Sequence, residues 1–364
     1  MKNKILVASV GLASMFVAHQ ALAVPFSSYD PRSFAMGGVG VAAGTSANAV
    51  FFNPALLAAA NEDEDFSFDL LGGVRAADPG DFIDAIDTFS ANNSMQGLTD
   101  AIATTSPTLI QNAADQLKAD LTSISNKPVS LEADGAVVIG VPSKKFGVSV
   151  YGNVWMVGGA NATVAQADLD AIQVVVDALP GVIADPTGSF TSTVNARFAT
   201  ITEVGVAIAR SFNGIAVGVT PKYVSVQTNN YEFVGSDIDN ADINQSTGEA
   251  TGTSFDLDVG VARDFGNNWK AGVTIKNLLG QEYDLANTTE KLSIDPIARA
   301  GLVYQNSWST VGLDVDLTEN DPGGFDAKTQ YAAVGIEFDA FDFAQIRLGM
   351  RHNLSDTPYD SDTV

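Results

Sequence analysis

The side chains of this chain that could do chemistry are almost all carboxylates. Its 364 residues carry 43 Asp+Glu against 19 Lys+Arg, with two histidines and no cysteine. Without cysteine there is no disulfide, thiolate ligand or sulfur nucleophile. His19 falls within a leader, so a mature chain keeps His352 alone, too few imidazoles for a histidine zinc site or a Ser-His-Asp triad. Carboxylate pairs abound, and none stands apart as the acid and base of a hydrolase. These counts describe a protein that is not an enzyme and needs no cofactor or metal.

Three constellations invite a sharper reading. Asp237-x-Asp239-Asn240-Ala241-Asp242-x-Asn244 gathers oxygen ligands in one loop, as a calcium site would. It lacks the EF-hand glycine, and a solvated acidic loop fits it as well; the same holds for Asp314, Asp316, Glu319 and Asp321. Gly38-x-Gly40 with Gly44 resembles a dinucleotide loop, but the third glycine comes one position late and no βαβ unit surrounds it. Asp256, Asp258, Lys270 and Lys276 fall on one face of two neighbouring strands, where cross-strand charge pairs would fill an interior.

Residues 1–23 read as a secretory leader, with Lys2 and Lys4 before an apolar stretch and Ala21-Leu22-Ala23 at the cleavage site. Its removal leaves 17 basic and 43 acidic side chains, a charge of about -26, which argues against direct binding of nucleic acid. Ser33 to Asn61 carries no charge, but its glycines and Pro54 make a poor spanning helix.

From residue 66 the pattern has period 2. Phe255, Leu257, Val259, Val261 and Phe265 share one face of a segment whose other face is Asp256, Asp258, Gly260, Ala262 and Asp264. Eleven such strands lie near 66–75, 133–142, 146–156, 198–212, 215–228, 253–265, 269–278, 298–305, 308–318, 330–339 and 343–353. Long links (76–132, 157–197, 229–252, 279–297, 319–329) alternate with short turns such as Asn213-Gly214. That alternation predicts an all-β, transmembrane antiparallel barrel, with short periplasmic turns and long outer loops. A soluble β-sandwich is the alternative. Asp81–Ile124 and Ala165–Ile183 have helical spacing and read as helical excursions outside the bilayer. Trp155, Phe198, Phe212, Phe265, Trp269, Tyr304, Trp308 and Phe338 are placed near strand ends, as an interfacial girdle requires.

Two stretches carry a resemblance. Asp30-Pro31-Arg32-Ser33-Phe34-Ala35-Met36-Gly37-Gly38-Val39-Gly40-Val41-Ala42 followed by Asn48-Ala49-Val50-Phe51-Phe52-Asn53-Pro54-Ala55-Leu56-Leu57 is similar to the N-terminal stretch of FadL-type outer-membrane transporters. Lys276-Asn277-Leu278-Leu279, Pro296 to Leu302, Asp314 to Thr318 and Ile346 to Arg351 resemble, in order, the conjugal-transfer TraF outer-membrane family, a relative of that group. The resemblance implies an outer-membrane barrel of a Gram-negative bacterium with an N-terminal hatch, its gate at Asn53, Pro54 and Ala55. The implied organisation is 1–23 signal peptide, 24–62 hatch and 63–364 barrel. The implied partners are outer-membrane lipid and either conjugation-apparatus proteins or hydrophobic small molecules. An odd strand count and the polar stretch 356–364 lead to the expectation of about 12–14 strands when complete, with a closing strand still to come.

Overall fold

In the computed structural model of the chain, the described residues are 30–59, 66–78, 80–181, 184–234, 248–286, 288–289, 291–320, 328–341 and 344–355. The leader, the calcium-like run 237–244, Asp321 and the stretch 356–364 lie outside them.

Eleven strands form one antiparallel sheet: β1 (Ser67–Ala77), β2 (Pro128–Val141), β3 (Gly147–Thr163), β4 (Thr193–Phe212), β5 (Ile215–Val234), β6 (Gly248–Gly266), β7 (Trp269–Lys276), β10 (Ile297–Gln305), β11 (Ser309–Asp316), β12 (Tyr331–Phe341) and β13 (Ala344–Asn353). Each corresponds to one strand read from alternation. β1 and β13 are the sheet's two edges and do not pair with each other, so the sheet is curled without being closed. No helix among the described residues is long and apolar enough to cross a membrane.

The sheet is polar inside and apolar outside. On β6, Asp256, Asp258 and Ala262 are buried while Phe255, Val261 and Phe265 are exposed. The same inversion runs from Leu70 on β1 to Leu348 on β13. Contiguous apolar surface on this scale marks contact with a partner or a membrane. Strands β1, β7 and β10–β13 have 8 to 11 residues, about what crosses a bilayer. β3 to β6 have 17 to 20, longer than alternation indicated. Beyond Tyr223 and Phe255 their outward positions turn polar (Ser225, Gln227 and Asn229 on β5; Thr253 and Thr251 on β6), so periodicity fades while pairing continues.

Two expectations need correction. The link 279–297 is not a plain loop: it holds a hairpin of β8 (Gln281–Asp284) and β9 (Lys291–Ile294). Trp155 is not part of an outer girdle. It is 7% exposed and packs inside with Ile201, Val226, Leu285 and Leu292, because its odd position on β3 faces inward. Phe198 lies outward toward the long-link end of β4, and the remaining aromatics lie outward near the short turns, with Trp269 edge-on to Tyr304 at 5.2 Å and Trp308 stacked on Phe338 at 5.9 Å.

The helical links are as read. α3 (Phe82–Asn92), α4 (Ser94–Thr104) and α5 (Pro107–Ile124) from the first link meet α6 (Gln166–Asp177) from the second around Leu98, Ile110, Leu117 and Ile172. Asp168 ties α6 to the approach to β4, accepting hydrogen bonds from Thr191 N at 2.9 Å, Ser192 N at 2.6 Å and both hydroxyls. Burial alone would raise its carboxyl, but the hydroxyl and backbone donors outweigh burial and hold its pKa below the usual carboxylate value. A depressed pKa contributes stability that is present above the unfolded value, near 4, and lost as pH falls through the folded one. The cap is therefore expected to keep its order to pH 5 and loosen only below about 4. Asp168→Ala, which strands two backbone donors, should loosen it at neutral pH by about 1–3 kcal/mol, seen as faster amide exchange in α6.

Candidate functional site

The interior is occupied by residues 30–59. Asp30 caps α1 (Pro31–Ala35) by accepting from Ser33 N at 2.7 Å, with Pro31 at the first helical position. Gly37 and Gly38 then take φ of 71° and 96°, which turns the chain along the wall. α2 (Ala49–Phe52) ends at Asn53, and a 3-10 turn, Pro54–Ala58, follows. This short segment has no charged side chain beyond Asp30 and Arg32, and Met36, Phe52 and Leu57 are essentially inaccessible. Each large buried side chain contributes about 2 kcal/mol, so apolar burial supplies most of the adhesion.

Polar contacts fix the register. Arg32 forks onto Glu337 of β12, with both N–O distances 2.9 Å, and Arg347 of β13 donates to the same carboxylate at 2.5 Å. Asp314 of β11 accepts from Gly40 N at 2.8 Å and Val41 N at 2.9 Å. The glycine run that resembles a dinucleotide loop thus binds a carboxylate of its own chain. Asn53, fully buried, donates to Val41 O at 3.0 Å and Val261 O at 3.1 Å and accepts from Ala55 N. Asn53, Pro54 and Ala55, the expected gate residues, lie against the inner faces of β5 and β6.

What lets the segment come so close is a belt of inward glycines that alternation did not single out. Gly218, Gly260, Gly272, Gly301, Gly312, Gly335 and Gly349 each meet it where a side chain would begin. A Cβ on Gly260 would sit 2.0 Å from Asn53 Oδ1, one on Gly218 2.4 Å from Ala55 N, and one on Gly349 2.1 Å from Met36 C. Cross-strand pairing aligns Gly218 with Gly260, Gly272 with Gly301, and Gly312 with Gly335 and Gly349. The signal was legible: every strand from β5 on in the large sheet carries one glycine between two apolar residues, from Val217-Gly218-Val219 to Leu348-Gly349-Met350.

Above the glycine belt, toward the long links, lies a charged tier. Lys222 of β5 contacts Glu203 of β4 and Asp258 of β6, both at 3.0 Å, and donates to Asn277 Oδ1 at 2.6 Å. Asp258 was expected to meet lysines across β6–β7; it also takes a salt bridge from β5, because Lys222 reaches along the inner face to the position opposite Thr220. Lys270 lies opposite Asp264 near the short turn. The third tier is the β8–β9 hairpin, seated on β3 to β6 through Trp155, Ile201 and Val226, with Tyr283 bonded to Ser254 at 2.6 Å. Asp314 and Asp316 belong to the inner wall, the latter bound by Arg299 at 3.0 Å, and Glu319 contacts Lys328 at 3.2 Å. Among the described residues no three His, Asp or Glu side chains are grouped as a metal site. His352 is exposed near the end of β13, away from all three tiers.

A separate cavity lies in the helical cap. Ile86, Phe89, Met95, Leu121, Ile124, Val164 and Phe190 enclose it with the ends of β3 and β4; it has about 440 Å³ of free space including its mouth, and its wall is almost wholly apolar.

Fold and interior together define an antiparallel β architecture with an apolar outer face, wrapped around its own N-terminal segment. The chain belongs to the family described as F plasmid transfer operon TraF protein, whose pattern matches residues 50–316. Comparison with curated protein sequences finds no match. Among solved structures it is similar to the toluene transporter TodX of P. putida (TM-score 0.47, 11% identity, 91% of this chain and 93% of that one). It is also similar to the toluene transporter TbuX of Ralstonia pickettii (0.40, 12%, 91% and 95%) and to a Pseudomonas aeruginosa FadL homologue (0.31, 13%, 62% and 59%). These TM-scores are low, and the fold rests on the strands themselves.

Proposed function

We propose that the protein is a barrel of the Gram-negative outer membrane, its lumen closed by residues 24–62 as a hatch, and that it passes small apolar molecules without catalysis. The observation that carries the membrane reading is the inverted polarity of the sheet, with its charges almost all inside and a broad apolar surface outside. A structure in lipid must satisfy its backbone internally, so in the membrane the edge strands β1 and β13 must also be paired. Two features support apolar cargo. The wall beside Asn53-Pro54-Ala55 is built of Ala207, Ala209, Ala216 and Ala262, so hatch withdrawal bares an apolar surface. The cap cavity, walled by Ile86, Phe89, Met95 and Phe190, offers an apolar entry site at the long-link end. Family membership supports a second reading, an assembly component of a DNA-transfer apparatus working through protein partners.

Boiled and unboiled samples of the full-length protein from outer membranes should run differently on a gel and resist alkaline carbonate. Release as a soluble species sinks the membrane reading. Toluene is expected to saturate the detergent-solubilised protein, and Ala162→Trp, which fills the cavity, should abolish binding. Undiminished binding by that variant removes the entry site; normal mating loss on deletion with no toluene binding favours the second reading.

A further inference from the structure

The outward face of the sheet is almost free of charge. Across the outward positions of the eleven strands, the formal charges are Arg210, Arg263 and Glu249. Glu249 stands at the long-link end of β6. Both arginines stand at the short-turn end, on strands that flank β5: Arg210 opposite Val217 and Arg263 opposite Ile215. Two strand spacings and a two-residue offset along the strands put their Cα atoms about 12 Å apart. Each guanidinium lies over the aromatic ring two residues on, Arg210 at 5.0 Å from Phe212 and Arg263 at 5.2 Å from Phe265, and both rings are more than half exposed. Alternation sends the neighbouring Asp264 to the other face, where it accepts from Gly266 N. The next short turn adds Lys144 and Lys145, held beside β4 by the bond from Ser211 N to Lys144 O at 2.9 Å.

A guanidinium held at the boundary of an apolar surface, with donors facing outward, is fitted to phosphate, which it grips bidentately while its stem and ring stay in hydrocarbon. The long links carry the acidic helices, so the basic patch also marks the opposite end of the molecule. We infer that Arg210 and Arg263, with Lys144 and Lys145, form a binding site for the phosphate headgroup of anionic phospholipid in the periplasmic leaflet. This inference rests on the membrane reading above.

The test uses native mass spectrometry of the full-length protein in detergent, offered equal phosphatidylglycerol and phosphatidylcholine. The wild type is expected to retain phosphatidylglycerol several-fold over phosphatidylcholine. R210Q/R263Q should lose that preference while still binding both lipids, and R210K/R263K, keeping charge without the fork, should fall between. Equal preference in R210Q/R263Q and wild type overturns the inference. So does loss of bound phosphatidylglycerol to excess inorganic phosphate, which would show a site for free phosphate. Protein that stays soluble without detergent and retains neither lipid refutes the membrane reading instead.

Discussion

Gly260→Leu is expected to drive the hatch out of the interior while leaving the sheet in place. The substitution puts a Cβ 2.0 Å from Asn53 Oδ1 and 3.0 Å from Pro54 Cδ, with three further carbons behind it. Asn53 cannot yield locally, because its amide spans Val41 O and Val261 O and its carbonyl oxygen holds Ala55 N. Overpacking of a well-fitted core costs about 1–3 kcal/mol, and losing the Asn53 bonds adds roughly 1 kcal/mol each. The outward residues of β6 are untouched, so the variant should keep its gel mobility shift. It should become sensitive to protease within 30–59 and raise conductance in planar bilayers. Gly260→Ala should show the same direction more weakly. A variant with wild-type conductance and an uncut N-terminal segment would show that the belt does not seat a hatch.

The second large effect is expected at Glu337. Its carboxylate is shared by Arg32 of the N-terminal segment and Arg347 of β13, and it is largely buried. Glu337→Ala leaves two guanidinium groups facing each other. Removing one partner of a buried pair costs about 3–5 kcal/mol, and the partial exposure of Arg347 points to the lower end. About 3 kcal/mol is more than a hundredfold in the population of the released state. Protease cleavage at the N-terminal segment should accelerate accordingly. Adding Arg32→Ala to Glu337→Ala should cost much less than the two single changes summed, since the pair is coupled. Strict additivity would show that Arg32 and Glu337 do not latch the hatch.

The two changes probe different forces. Gly260 tests shape, because the belt works by having no side chains. Glu337 tests charge, because it joins α1 to β12 and β13. Residues 30–59 are therefore fastened at two places, at Arg32 on β12–β13 and at Leu57, whose carbonyl accepts from Ser143 N beyond β2.

Alternation by itself located all eleven strands of the large sheet and their order of long and short connections, and helical spacing located the helices in the two longest links. Alternation did so because a strand with one wet and one greasy face must write period 2 into its residues, whatever it later packs against. That the stretch 30–59 packs as a unit was foreshadowed by its apolar, almost uncharged composition; a gate at Asn53-Pro54-Ala55 is implied only by resemblance. Three features came only from tertiary structure. Lys222 joins Asp258 to Glu203 across β4–β6, since register and side-chain reach decide which inward charges meet. Residues 281–294 form an inward hairpin, since each arm is too short to show a period. Trp155 faces in, since aromatic type does not say which side of a strand is wet. The inward glycines lie between these cases: written in the sequence strand by strand, they acquire meaning only once pairing sets them side by side against the N-terminal segment.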